Sequence, residues 1–170
     1  KEKKILEVGY GTGLNTLLTL KNSKEKNMII DYHTIDLFPL KYKHIITLNF
    51  PEIIGEKREI YLEINNKSWE KRHKINSNFF LTKNKISLEN YNYQKNFDII
   101  YFDAFSPDKQ PELWTKDIFK KIQKLLNPNG FIVTYCAKGI IKRRLKSIGF
   151  KVLSLEGPPG KREMTKAYRI

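Results

Sequence analysis

Apolar and polar positions along the chain fall into blocks that predict strands and helices in alternation. Apolar runs of strand length occupy residues 5–8, 28–35, 98–102, 131–136, 151–155 and 165–170. Helical segments are predicted at 14–20, 39–49, 51–71, 111–126 and 140–148. One or two further short strands are expected between His73 and Ile86. The alternation favours an α/β fold with a mostly parallel twisted sheet and helices on both faces.

The last two predicted strands are separated only by the turn Gly157–Gly160, which is too short for a crossover helix. We therefore expect an antiparallel strand pair at the C-terminus. With 170 residues, 40% of them hydrophobic, the chain is expected to form one domain over residues 1–170. Because it starts at Lys1 and strand character begins by Ile5, we expect that preceding residues are missing.

The composition argues against several classes of protein. A single cysteine, Cys136, leaves no disulfide framework and no cysteine-built zinc site, and it fits a reducing, cytoplasmic location. No apolar run approaches the roughly 18 residues of a membrane span. The 3 histidines are scattered, without acids at ligand spacing. We therefore expect neither a metal nor a membrane partner.

The segment that joins the first strand to the first helix carries the strongest chemical signal. Gly9, Gly11 and Gly13 follow Glu7 in a G-x-G-x-G pattern. A strand, a glycine loop and a helix open a nucleotide-binding α/β unit. A dinucleotide fingerprint needs glycine where Leu14 stands, which disfavours a nicotinamide dehydrogenase, and the Gly-Lys-Ser/Thr of a phosphate-binding loop is absent. An acid in the first strand would repel phosphate but suits a ligand with a positive centre.

A second acid, Asp36, ends the second predicted strand, 23 residues after Gly13. A carboxylate in that place can accept hydrogen bonds from both hydroxyls of a ribose. Two acids around three alternating glycines therefore indicate S-adenosylmethionine (SAM) as the cofactor. The competing interpretations are a purely structural turn at the glycines and a solvated strand end at Asp36.

A third acid, Asp103, ends the strand 98–102 at the same edge of the sheet, and Phe105 and Pro107 follow it. A carboxylate next to an aromatic ring and a proline-stiffened loop is suited to holding a methyl acceptor. The alternative is a loop whose Phe105 and Trp114 only pack against the core.

Three motifs together resemble the methyltransferase domain of the MnmC family: Glu7–Asn15, Phe102–Pro107 with Pro111–Trp114, and Gly160–Met164. That family makes 5-methylaminomethyl-2-thiouridine at the wobble position of tRNA. The resemblance covers nearly the whole chain and is weakest between about residues 51 and 90. It implies a Rossmann-like class I methyltransferase fold, SAM as cofactor, and N-methylation of 5-aminomethyl-2-thiouridine in the anticodon region of tRNA.

The resemblance also implies roles for single residues. Its glycine motif adds Tyr10 and Asn15 to Glu7, the three glycines and Asp36 as cofactor-binding residues. Asp103 is expected to be catalytic, orienting the acceptor amine and accepting its proton, and this role does not exclude cofactor binding. Many members carry Glu at the place of Asp36, which keeps the ribose-binding carboxylate.

Two further features of the family differ in this chain. An acid that often follows the third strand and contacts adenine has only Asn84 or Ser87 near its place, and the sequence does not decide between them. The fused flavin-dependent oxidase of the bifunctional members has no counterpart in these 170 residues, so we expect a stand-alone form that would methylate without removing a carboxymethyl group.

The charge of the chain points to a polyanionic partner, because Lys and Arg number 32 against 18 Asp and Glu. Lysine has A/T-rich codons, so genome composition alone would also raise the total. The last 60 residues, however, hold 14 cations and 4 anions. Phe105, with Pro107 stiffening its loop, is expected to stack on the wobble base, and Arg143, Lys161 and Arg162 to contact tRNA phosphates. The alternative for Arg143 is a solvated helix face.

Two other functions remain open at this stage. A class I methyltransferase acting on a small molecule or a protein would work without RNA. A catalytically idle RNA-binding module on the same scaffold would have no need of the acids and the glycine loop.

Overall fold

The computed structural model describes residues 2–94, 96–157, 159–160 and 162–170. Its strands are β1 (Glu2–Val8), β2 (Ile29–Ile35), β3 (Arg72–Lys74), β4 (Phe79–Asn84), β5 (Phe97–Phe102), β6 (Leu126–Thr134), β7 (Phe150–Glu156) and β8 (Glu163–Arg169). Its helices are α1 (Leu14–Glu25), α2 (Tyr42–Ile45), α3 (Phe50–Ile54), α4 (Arg58–Asn66), α5 (Lys116–Leu125) and α6 (Gly139–Ser147), with a 3-10 helix at Pro111–Trp114. None of these helices is long and apolar enough to cross a membrane.

The strands of the described residues form one sheet in the order β3-β4-β2-β1-β5-β6-β8-β7. The five strands from β4 to β6 in this order pair in parallel. Strand β8 runs antiparallel to both β6 and β7, so the predicted C-terminal antiparallel pair is confirmed. Strand β3 adds a short antiparallel edge beside β4.

The sheet separates two hydrophobic layers, as an α/β fold requires. On one face, Leu17 of α1 and Ile64 of α4 pack against strand residues such as Tyr32. On the other face, Phe119 of α5 and Leu145 of α6 belong to a second buried cluster. Each such side chain contributes about 1.5–3 kcal/mol when fully buried. Helices therefore cover both faces, as predicted.

The helices between residues 39 and 71 are shorter and more broken than predicted. Helix α2 contains only Tyr42–Ile45. Gly55 adopts a left-handed conformation with φ of 68° and ends α3 before α4 begins at Arg58. A glycine accepts this conformation without the cost of a Cβ clash, so it makes a favourable helix end. The mixed polar pattern of this stretch does not reveal that break.

Two differences concern the predicted helix 111–126. It starts as a 3-10 helix, and α5 begins only at Lys116, where the Thr115 hydroxyl accepts a hydrogen bond from the backbone of Ile118. The residues between the predicted helix 111–126 and the predicted strand 131–136 belong to β6, whose register against β5 shifts between Phe97 and Ile99. The end of α6 agrees with the prediction, since Gly149 follows it with φ of 94°.

Candidate active site

The carboxyl ends of β1, β2 and β5 meet at one edge of the sheet, where backbone hydrogen bonds join the loops that follow them. Gly9 N donates to Ile35 O at 2.9 Å, and Asp103 N donates to Val8 O at 3.0 Å. These bonds place the glycine loop, Asp36 and Asp103 side by side, as the sequence predicts for strand ends of a parallel sheet.

The three glycines of the loop have left-handed φ values but serve different purposes. A Cβ at Gly9 would lie 2.6 Å from Asp103 O, and a Cβ at Gly13 would lie 2.7 Å from the Tyr10 hydroxyl oxygen and 2.8 Å from Asn65 Oδ1. At Gly11, no described atom lies within 4 Å of the added Cβ. Gly9 and Gly13 are therefore required by the packing of the protein itself, and Gly11 exposes its backbone to a ligand.

A cavity of about 660 Å³ lies at this edge. Its walls are the glycine loop, residues 35–40 after β2, residues 86–89 after β4, and parts of the segment 103–113. The charged side chains that line it, among the described residues, are all acidic: Asp36, Glu89, Asp103 and Glu112. In a chain of net charge +14, this local reversal favours a cationic ligand over a phosphate.

Asp36 is half-buried at the start of the loop after β2. Its Oδ2 accepts a hydrogen bond from Gly11 N at 3.1 Å, and its Oδ1 accepts one from Phe38 N at 2.9 Å. The carboxylate is thereby fixed in direction at the open glycine. Since a carboxylate offers about four acceptor positions, each oxygen keeps room for a ribose hydroxyl.

Asn15 and Asp103 form a polar pair beside the loop. Asn15 Nδ2 donates to Asp103 Oδ2 at 3.0 Å, and the Asp103 side chain is exposed. The same two residues also line a second cavity, of about 530 Å³, between α1 and strands β5 and β6. The pair therefore stands between two open volumes, where its second carboxylate oxygen can reach a ligand.

Phe105 presents its ring to solvent from a loop with a fixed backbone. The residue is 70% exposed, and its carbonyl accepts a hydrogen bond from the buried Trp114 Nε1 at 2.8 Å. The Tyr135 hydroxyl donates to the carbonyl of Ala104 at 2.9 Å. Pro107, two residues after Phe105, is half-buried. Trp114 thus belongs to the core, as one interpretation of the sequence had it, and Phe105 does not.

Glu7 lies beneath the glycine loop and is not part of the cavity wall. Its side chain is fully buried, Thr16 Oγ1 donates to its Oε2 at 3.4 Å, and its Oε1 has no hydrogen-bond partner among the described residues. Burial raises the pKa of this carboxyl to about 8, although the nearby Asn15 and Thr34 side chains lower it. Glu7 is therefore a buried acid with one oxygen left unpaired.

Tyr10 is only 4% exposed, because its ring packs into the protein. Its hydroxyl donates to Asn65 Oδ1 at 2.8 Å, and its ring meets Trp69 edge-on at 5.7 Å. The Tyr61 hydroxyl, one turn before Asn65 on α4, donates to Thr12 O at 2.9 Å. The spacing of Tyr61 and Asn65 by four residues places them on one face of α4, but nothing local in the sequence predicts that this face contacts the glycine loop.

The structure distinguishes the two residues considered for the adenine contact. Ser87 lines the cavity, whereas the Asn84 amide donates to Glu70 Oε2 at 2.9 Å. The cavity also includes Phe38, which is 81% exposed at its mouth. Phe38, Glu89 and Glu112 were not predicted as cavity residues, because the spacing of loop residues does not indicate which of them turn toward the cavity.

The predicted tRNA-contacting residues lie toward the same edge where the structure describes them. Arg143 is exposed at the middle of α6, with its guanidinium close to Gly139 at the start of that helix. Arg162 is exposed in the turn between β7 and β8, at the carboxyl end of β7. Lys161 lies outside the described residues. Arg144, in contrast, faces inward and donates to Trp114 O at 2.8 Å. No cluster of three His, Cys, Asp or Glu side chains suited to a metal ion occurs among the described residues.

The glycine loop after β1 and the acids after β2 and β5 surround an acidic cavity. This arrangement is typical of class I SAM-dependent methyltransferases. A family model described as S-adenosyl-L-methionine-dependent methyltransferase matches residues 52–170. The chain belongs to this family, and SAM is its cofactor. The residues fit this group, because SAM carries positive charges and a ribose, and the cavity offers carboxylates and an open glycine.

The chain is similar to curated proteins named tRNA 5-methylaminomethyl-2-thiouridine biosynthesis bifunctional protein MnmC. It is 31% identical to the protein from Campylobacter hominis over 168 residues, which is 96% of this chain and 25% of that protein. It is 28% identical to the protein from Idiomarina loihiensis, over 94% of this chain and 28% of that one. The chain therefore spans about a quarter of the length of these relatives.

Two solved structures are similar to the chain over its whole or nearly its whole length. MNMC2 from Aquifex aeolicus superposes with a TM-score of 0.78 and 26% identity, covering 100% of this chain and 54% of that one. A methyltransferase from Pyrococcus furiosus superposes with a TM-score of 0.62 at 16% identity, covering 99% of this chain and 75% of that one, and supports the fold alone. The resemblance to the methyltransferase domain of MnmC is thus confirmed.

Proposed function

We propose that this chain transfers a methyl group from SAM to the exocyclic amine of 5-aminomethyl-2-thiouridine at the wobble position of tRNA. The observation that carries the proposal is the exposed Phe105 ring two residues from the Asp103 carboxylate, at the mouth of an acidic cavity. This pairing suits an acceptor that is both a planar base and an amine. The names of the MnmC relatives support the same substrate.

The cofactor side of the proposal assigns a task to each residue around the open glycine. Asp36 accepts hydrogen bonds from the ribose hydroxyls, and Gly11 allows close approach of the ligand to the backbone. Ser87 and the apolar side chain of Leu88 face the adenine. Asn15 faces the positively charged end, and Glu7 adds negative charge from beneath once its proton is lost.

The chemistry is an in-line displacement. Bound SAM supplies a methyl group activated by its attachment to a sulfonium. With SAM bound there, the acceptor nitrogen would form a bond to this carbon as the carbon–sulfur bond breaks, with S-adenosylhomocysteine as the leaving group. Asp103 orients the neutral amine and accepts the proton that the nitrogen loses, directly or through water. Orientation of this kind is worth effective molarities of about 10⁵ M or more, so the protein needs no covalent intermediate.

The RNA side of the proposal rests on exposed cations whose side chains make no hydrogen bond among the described residues, together with Lys161, which lies outside them. Lys142 donates to Ser154 Oγ at 2.8 Å, and Arg144 faces inward, so neither is available to a phosphate. Arg143 and Lys146 are exposed on the same helix, and Arg162 is exposed in the neighbouring turn. We propose that these three, together with Lys161, contact the anticodon stem and loop.

The proposal is tested by incubating the protein with methyl-labelled SAM and tRNA from cells that lack the final methylation, followed by nucleoside analysis. We expect label in the wobble nucleoside. Asp103→Asn is expected to keep SAM affinity and lower turnover about 10²-fold. Asp117→Asn, which changes an exposed carboxylate on α5, is the matched control and should behave as wild type. Absence of label from the wobble nucleoside, with SAM binding intact, would refute this substrate.

A further inference from the structure

Lys83 is a fully buried lysine in the inward-facing row of β4, on the sheet face that α4 covers. Its Nζ donates to the carbonyl oxygens of Ile64 at 3.2 Å and Asn65 at 3.0 Å. No carboxylate of the described residues lies within ion-pair distance of it. Burial lowers the pKa of this amine to about 8. Burial of an ammonium without a carboxylate partner costs free energy, so other interactions of Lys83 must offset that cost.

The surroundings of the amine are those of a cation-binding pocket. The Nζ lies 5.2 Å from the ring centroid of Tyr10 and 5.2 Å from that of Trp69. These two rings meet edge-on, with an interplanar angle of 84°. The carbonyls that Lys83 binds are among the last of α4, where the helix dipole is negative and carbonyls lack helical partners. Lys83 thus joins the end of α4 to the Tyr10 ring.

A short path of contacts leads from this point to the glycine loop. Asn65 accepts a hydrogen bond from the Tyr10 hydroxyl at 2.8 Å. The Tyr10 carbonyl accepts one from Gly13 N at 2.9 Å. Gly13 also packs so closely on the Tyr10 hydroxyl and Asn65 that a single Cβ would not fit. A shift in the last turn of α4 would therefore move Tyr10 and the loop that contains Gly11.

We propose that Lys83 is a positioning residue for cofactor binding, which fixes the end of α4 and the Tyr10 ring so that the glycine loop is held in its binding conformation before SAM arrives. The proposal concerns SAM binding alone and is independent of the acceptor proposed above.

The test is calorimetric titration of Lys83→Met with SAM and with S-adenosylhomocysteine. Methionine keeps the length and much of the volume of the side chain but removes the ammonium. We expect the Kd of both ligands to rise at least tenfold. Ile132→Val, a small core deletion on the opposite face, is the control for general destabilisation and should leave both Kd values unchanged. A folded Lys83→Met protein with both Kd values within twofold of wild type would overturn the proposal.

Tyr10→Phe gives a second test should Lys83→Met fail to fold. It keeps the ring beside Lys83 and breaks only the hydroxyl link to Asn65. We expect its Kd for SAM to rise about threefold to tenfold. Where both single variants fold, the double variant should lose less affinity than the two single losses combined, because both act through Tyr10. An unchanged Kd for Tyr10→Phe, or fully additive losses in the double variant, would contradict the path from Lys83 through Tyr10 to the loop.

Discussion

Replacing Glu7 by glutamine should change how the stability of the protein depends on pH. The substitution keeps the size and shape of the buried side chain and removes its ability to ionise. Because the carboxyl is fully buried and its Oε1 has no hydrogen-bond partner among the described residues, ionisation in the folded protein is strongly disfavoured. The pKa rises from an ordinary 4.5 to about 8. At about 1.4 kcal/mol for each tenfold change, this rise corresponds to at most about 5 kcal/mol.

The sign of the effect follows from which state holds the proton. Below pH 4.5 both the folded and the unfolded protein keep it, so wild type and Glu7→Gln should differ little. Between pH 4.5 and about 8 the unfolded chain loses the proton and the folded protein keeps it, so the free energy of unfolding of wild type falls as pH rises. Above pH 8 the loss is complete and the difference becomes constant.

The measurement is urea unfolding of both proteins between pH 5 and pH 9, comparing the free energies of unfolding. Glu7→Gln should be more stable than wild type by less than about 1 kcal/mol at pH 5 and by several kcal/mol, at most about 5, at pH 8.5. Glu63→Gln, which removes an exposed carboxylate on α4, is the control for the change of Glu to Gln outside the core. A difference for Glu7→Gln that stays within about 1 kcal/mol over the whole range would refute the reasoning.

Two further predictions separate the cofactor site from the RNA surface. Gly11→Ala should cost about 1–2 kcal/mol of stability because of its left-handed backbone, and should weaken SAM binding about tenfold or more, as measured by calorimetry. An unchanged SAM affinity would mean that the open side of Gly11 does not face the cofactor. The double charge reversal Arg143→Glu with Lys146→Glu should weaken tRNA binding and lower its salt slope by about 1–2, with SAM affinity unchanged. An unaltered salt slope would remove α6 from the RNA surface.

The parts of the site that the sequence predicted are those in which the chemistry is local along the chain. Asp36 and Asp103 each follow an apolar run directly, and parallel strands bring their carboxyl ends to one edge whatever the rest of the fold does. The two acids and the glycine loop could therefore be assigned without knowing a single long-range contact. The fold class followed in the same way, from the alternation of strand and helix patterns.

The contacts that hold the glycine loop could not be found in this way, because they join distant parts of the chain. The hydrogen bond between Tyr10 and Asn65 spans 55 positions, and no local pattern pairs them. Lys83 occupies an inward-facing position of β4, after Phe79 and Leu81, so the alternation itself points it into the core. The polarity of lysine argues against that position, and only the α4 carbonyls and the aromatic rings explain it.

The limits of counting charges are clearest in the last 60 residues. Composition alone treats their 14 cations as equivalent. In the folded protein, Arg144 binds a backbone carbonyl, Lys138 pairs with Asp108, and Arg169 binds the carbonyl of Leu126. These cations stabilise the loop that carries Phe105 and the C-terminal strands, so their side chains are less available to a phosphate than a count of charges suggests.

The other charged side chains are arranged so that two kinds of ligand can bind at one edge of the sheet, one cationic and one anionic. The cavity wall is acidic in an otherwise basic protein. It therefore attracts the positively charged cofactor and repels the phosphates of an RNA. The exposed cations Arg143 and Arg162 lie outside that wall, where a polyanion can bind without entering the cavity. An RNA held by these cations would be drawn to the rim but kept out of the acidic interior, except for a base carrying an amine. For the aminomethylated acceptor that we propose, this opposition of charges would favour entry of the base over entry of its phosphates.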